Sequence, residues 1–145
     1  MPTEFILTRT HQPPAKITGE KLAAIKSSNA SLANVASSNR QWVLLDLYCT
    51  QAGTHVAHIQ YRGGSRLREQ PVDYVCTGKT GAELMRKLDA IDTEEEFVTG
   101  WPNEVNPDFI KRHETVCDYA DLQYREVLEE ARKVLTPNEE PEIIE

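Results

Sequence analysis

Two runs of alternating residues, 41–50 and 54–62, joined by Gln51-Ala52-Gly53, constrain the fold of this chain more than any other stretch. In the first, QWVLLDLYCT, the residues Val43, Leu45, Leu47 and Cys49 share one face of an extended strand, with Trp42, Leu44, Asp46 and Tyr48 on the other. In the second, Ala57, Ile59 and Tyr61 share a face, and Val56, His58 and Gln60 lie opposite. Side chains alternate across a strand, and a short glycine-containing link between two such runs reads as a hairpin with a left-handed position. A hairpin with one apolar face must bury it, so the rest of the chain has to supply neighbouring strands and a cover.

Residues 4–9, EFILTR, predict a strand ended by His11-Gln12-Pro13-Pro14, and residues 73–76 predict another after the turn at Gly63-Gly64-Ser65. Leu22, Ile25, Leu32 and Val35 recur near helical spacing behind Thr18, a competent N-cap, so residues 18–36 are expected to be helical, whole or in two pieces. Thr80-Gly81-Ala82-Glu83 matches a capping box and starts a helix over 81–91. An acidic turn over 92–96 and a loop over 97–106 follow. Asn106-Pro107 then opens a long helix ending at Thr136-Pro137, with Phe109, His113, Val116, Ala120, Tyr124, Val127, Ala131 and Val134 or Leu135 on one side, and Ile110, Cys117 and Leu128 widening that stripe.

The expected fold is therefore α+β: a small antiparallel sheet of about four strands, packed on one face by about three helices in the order β-α-β-β-β-α-α. A single domain is expected over 1–137, with an acidic tail over 138–145. Part of the long helix's stripe is expected either to reach beyond the sheet, where a second copy of the chain would cover it and make a homodimer, or to pack across the other two helices.

Charge is divided along the chain. Residues 1–72 hold 8 Lys/Arg against 4 Asp/Glu, and residues 73–145 hold 8 against 19, so the net charge of −7 hides two unlike halves. The acidic total disfavours non-specific attachment to DNA or to an anionic membrane. No apolar run is long enough to span a bilayer or to serve as a secretory leader, so no membrane association is expected. Three dispersed cysteines, Cys49, Cys76 and Cys117, argue against a disulfide framework and for a cytoplasmic protein.

Most catalytic constellations are missing. His55 and His58 stand three apart on a strand and point to opposite faces, and no Cys pair completes a zinc site, so no metal and no other cofactor are expected. There is no Gly-x-Ser-x-Gly elbow, and Thr77-Gly78-Lys79-Thr80 lacks the earlier glycine of a phosphate loop. Asp46 interrupts the most apolar strand and needs a partner or solvent. Combined with Asp73 and Glu83 it gives the residues a metal-dependent nuclease would use, the alternative to a binding role.

The favoured reading is a non-enzymatic interaction or regulatory module that meets a charged protein partner, with nucleic acid as the lesser choice. Two surfaces are candidates. One is the basic hairpin loop, with Tyr61, Arg62, Arg66 and Arg68 as contacts. The other is the acidic long helix, with Trp101 just ahead of it as an apolar anchor.

Overall fold

The computed structural model describes residues 3–27, 42–62, 72–96 and 107–137. Five strands, β1 (Thr3–Arg9), β2 (Gln12–Lys26), β3 (Trp42–Thr50), β4 (His55–Arg62) and β5 (Val72–Gly78), form one antiparallel sheet in the order β1-β2-β3-β4-β5. Helix α1 (Gly81–Asp89), the single turn α2 (Thr93–Glu96) and the long α3 (Pro107–Leu135) follow. The α+β class is as expected, but the described elements run β-β-β-β-β-α-α-α.

The difference lies in β2. Residues 18–26, expected to start a helix, are strand, and residues 28–36 lie outside the described residues. The reason is a register shift between Lys21 and Ala23. An extra residue in one strand moves every later side chain to the opposite face. Lys21 is thus opposite Tyr48 on one side of the sheet, while Ala23 and Ile25 are opposite Leu47 and Leu45 on the other. The shift interrupts the period of two and leaves Leu22 and Ile25 at a spacing that mimics a helix.

The front face of the sheet carries Val43, Leu45, Leu47, Ala57, Ile59 and Tyr61, with Val72 and Cys76 from β5, all buried. It packs against Leu84, Met85 and Leu88 of α1 and Ala120, Tyr124, Val127, Leu128 and Ala131 of α3. Thr80 caps α1 as expected, its hydroxyl accepting from the Glu83 amide at 3.0 Å. The Tyr124 hydroxyl donates to the Leu88 carbonyl at 2.6 Å and ties the two helices together. Gly81, at the start of α1, sits against the Leu135 carbonyl at the end of α3. Ile110, expected to widen the buried stripe, is instead 42% exposed.

The back face is covered by the chain's own N-terminal hairpin. β2 is long: residues 12–18 pair only with β1, and residues 19–26 pair with β3. At Gly19, opposite both Thr3 and Thr50, the strand passes so close to β3 that a side chain there would press into the Cys49 carbonyl. Beyond that point the β1–β2 arm curls over the sheet like a strap. Phe5 meets the Tyr48 ring at 4.7 Å between centroids, and Leu7 packs with Tyr48 and Val56. The arm's tip reaches β5, where the Thr10 amide donates to the Asp73 carbonyl at 2.8 Å and the Asp73 amide donates to Thr10 Oγ1 at 2.7 Å. The result is a curled half-barrel.

Pro13 and Pro14 do not end the N-terminal structure, as the sequence suggested. They sit in the stretch of β2 that pairs only with β1, a position where a missing N–H is tolerated. The chain reverses at Thr10-His11, with His11 at φ 61°. That left-handed backbone is unfavourable for branched side chains. His11→Val is expected to lower stability by about 1–2 kcal/mol, measured by urea denaturation.

Candidate functional site

Most of the polar residues singled out from the sequence fall on the back face. Asp46 stands directly opposite His58 on the neighbouring strand, and its carboxylate lies 3.5 Å from Lys21 Nζ. His58 is only 5% exposed. Its Nε2 is 2.8 Å from the Thr8 carbonyl oxygen, to which it donates, and 3.4 Å from Thr8 Oγ1. The Thr8 hydroxyl donates to Asp73 Oδ2 at 2.5 Å, and an Arg62 guanidinium nitrogen donates to Asp73 Oδ1 at 2.7 Å. The same arginine nitrogen reaches the Tyr61 carbonyl at 3.0 Å.

A threonine that touches both a histidine and an aspartate invites comparison with a nucleophile and its base. The chemistry argues otherwise. Burial opposes ionisation of Asp73, but the hydrogen bonds from Arg62 and Thr8 and the Arg62 charge outweigh it and hold the carboxyl below its ordinary value. A carboxylate stabilised in this way is a weak base. Meanwhile the His58 Nε2–H is engaged by the Thr8 carbonyl. The group acts as a clasp, fastening the arm to β4 and β5.

The clasp gives a pH dependence of known sign. A carboxyl whose folded pKa is depressed adds stability above its unfolded pKa, near 4, and loses it as pH falls through the folded value. Asp73→Asn is therefore expected to cost about 1–2 kcal/mol at pH 7 and to flatten the fall in stability below about pH 4. Urea midpoints measured from pH 7 to pH 2.5 check both.

The nuclease set does not assemble. Asp46 and Asp73 are on the back face, whereas Glu83 lies in the first turn of α1 on the front side and pairs with Lys87 at 3.6 Å. Among the described residues no three His, Cys, Asp or Glu side chains converge to hold a metal ion. The basic hairpin contributes less than expected. Tyr61 is 0% exposed, in the front core, so it offers no stacking surface. Arg62 is committed to Asp73. Arg66, Arg68 and Trp101 lie outside the described residues.

A cleft of about 350 Å³ opens between β5 and the helices, lined by Tyr74, Cys76, Lys87, Ile91, Glu95 and Glu96 among others. Burial pushes the Cys76 thiol up, against nucleophilic use.

The outer face of α3 remains. Glu114, Asp118, Glu126, Glu129 and Glu130 are exposed along it. Asp121 pairs with Arg125 at 3.5 Å, Glu130 with Lys133 at 3.2 Å, and Arg132 reaches Asp89 of α1 at 3.0 Å. Among these charges Leu122 is 63% exposed. Its i−4 and i+4 neighbours are Asp118 and Glu126, so it stands in a carboxylate row. The sequence signal for Leu122 is its place off the apolar stripe, four residues from a carboxylate on either side. No helix among the described residues is long and apolar enough to cross a membrane. Compared with known families, curated proteins and solved structures, the chain shows no significant match.

Proposed function

We infer that the protein is a non-enzymatic interaction module, and that its docking surface is the outer face of α3, which receives a basic protein surface. The observation that carries this reading is Leu122, a large apolar side chain 63% exposed between Asp118 and Glu126. Interfaces combine a desolvated apolar centre with a charged rim, and complementary charge speeds encounter and sets register. A cytoplasmic setting accords with three free cysteines. The inner side of α3, from Ala120 to Leu135, packs on the chain's own core, so a partner has the outer side to use.

The test is affinity capture from source-cell lysate with the wild-type chain, Leu122→Ser, a double charge reversal of Asp118 and Glu129 to Lys, and Arg62→Ala. A basic protein that survives nuclease treatment, weakens with salt and is lost with both α3 variants but kept by Arg62→Ala supports the reading. A partner indifferent to the α3 changes, or recovery of nucleic acid without protein, overturns it.

A further inference from the structure

We propose that Cys49 and His55 form a two-point site for a soft, thiophilic cation of the copper(I) class. This is independent of the role assigned to α3.

Along the strand, His55 finds no ligand: His58, three residues on, faces the back of the sheet. Across the strands it does. Cys49 of β3 is directly opposite His55 of β4, with Gly78 on the other side of His55. Directly opposed residues project to the same face with β-carbons about 5 Å apart, a separation a single ion between sulfur and ring nitrogen can bridge. The glycine leaves His55 with no side chain directly opposite on β5.

The second observation is the state of the ring. His55 Nδ1 is buried and has no hydrogen-bond partner, alone in this among the buried side-chain nitrogens and oxygens of the described residues. Buried polar atoms are nearly always satisfied, and an exception calls for a cause. With the ring proton on Nε2, Nδ1 keeps a free lone pair that an ion held against the directly opposed cysteine would satisfy. The thiol is available too. Cys49 is half-buried and free, it is absent from the front core that holds Cys76, and its sulfur has only a long contact of 3.7 Å to the Thr50 carbonyl.

Ligand number selects the metal. Zinc in protein sites takes four ligands, and no three donors converge among the described residues. Thiolate selects copper(I), imidazole also suits copper, and a monovalent d¹⁰ ion accepts two donors in line. On binding, the Cys49 thiol gives its proton to solvent as the sulfur–metal bond forms. His55 binds neutral through Nδ1 and keeps its proton on Nε2. No electron is transferred when the ion is supplied as copper(I), and affinity rises with pH.

The experiment is anaerobic titration of the full chain with copper(I) against a chromophoric chelator, with Cys49→Ser, His55→Phe and Cys117→Ser alongside. One equivalent is expected in the wild type and in Cys117→Ser. Cys49→Ser should bind none, and His55→Phe should bind about tenfold or more weakly. His55→Phe removes an unsatisfied nitrogen while keeping a ring, so it remains a folded control. NMR of the wild-type chain gives a readout that needs no variant: the His55 ring resonances should shift on copper(I) addition while those of His58 stay in place. Absence of binding, equal binding by His55→Phe, loss of the equivalent in Cys117→Ser, or an unmoved His55 ring overturns the site.

Discussion

Gly19→Ala is expected to lower stability by about 3 kcal/mol or more, the largest effect of any single methyl added to the described structure. Gly19 lies inside a strand, where glycine ordinarily weakens the ladder. It is kept there by proximity: an added β-carbon would press into the Cys49 carbonyl oxygen and lie 2.6 Å from the Thr50 α-carbon. Both obstacles are backbone of β3, which cannot rotate aside as a side chain would. Relief requires β2 to lift from β3 at the point where the arm turns onto the back face. Urea denaturation of Gly19→Ala should show a much lower midpoint, with the Phe5–Tyr48 and Thr10–Asp73 contacts weakened first. A midpoint within a few tenths of a molar of wild type would show that β2 does not cross β3 as described.

Gly81→Ala is expected to cost about 2–3 kcal/mol for a different reason. Here the start of α1 abuts the end of α3, and a β-carbon would enter the Leu135 carbonyl, whose carbon would be 3.0 Å away. The contact sets the positive end of one helix dipole against the negative end of another. Separating the two ends would draw α3 away from α1 and strain the Tyr124–Leu88 hydrogen bond. α3 reaches its end at Leu135 and can shift as a helix, so the penalty is smaller than at Gly19. Thermal unfolding followed by near-ultraviolet absorbance checks this. An unchanged melting temperature would show that the two helix ends are further apart.

The parts of the fold legible in the sequence are those with an unbroken period. The 41–62 hairpin kept its alternation, and the structure places its link as a turn with Gly53 at φ 89°. The inner side of α3 kept a helical period from Ala120 onward, and α1 had its capping box. β2 was illegible because one extra residue near Leu22 reversed which side of the strand is apolar, and because its apolar residues are small or few. Covering of the back face was equally hidden, since it depends on where an arm lands 50–65 residues away in the chain.

The candidate site follows the same logic. Alternation already set Tyr61 beside Ile59 and Ala57, and its burial is what that pattern implies. The hairpin register also implied that Asp46 meets His58 and Cys49 meets His55, because the link length fixes which residues are opposite. Thr8 carried no signal, for its role depends on the arm.

The strap has a consequence for how the chain reaches its native state. Each strand pairs with its sequence neighbour, so every ladder closes a comparatively short loop. Docking of the arm joins Thr8 and Thr10 to Asp73, 65 and 63 residues away, and buries a smaller apolar cluster than the one α3 closes over a longer stretch of chain. Chain-closure entropy disfavours that step until the sheet exists to receive it. The hairpins and helices should therefore assemble first and the arm dock last, and in the folded protein the arm should be the first unit to open, exchanging its amide hydrogens while β3 and β4 remain protected.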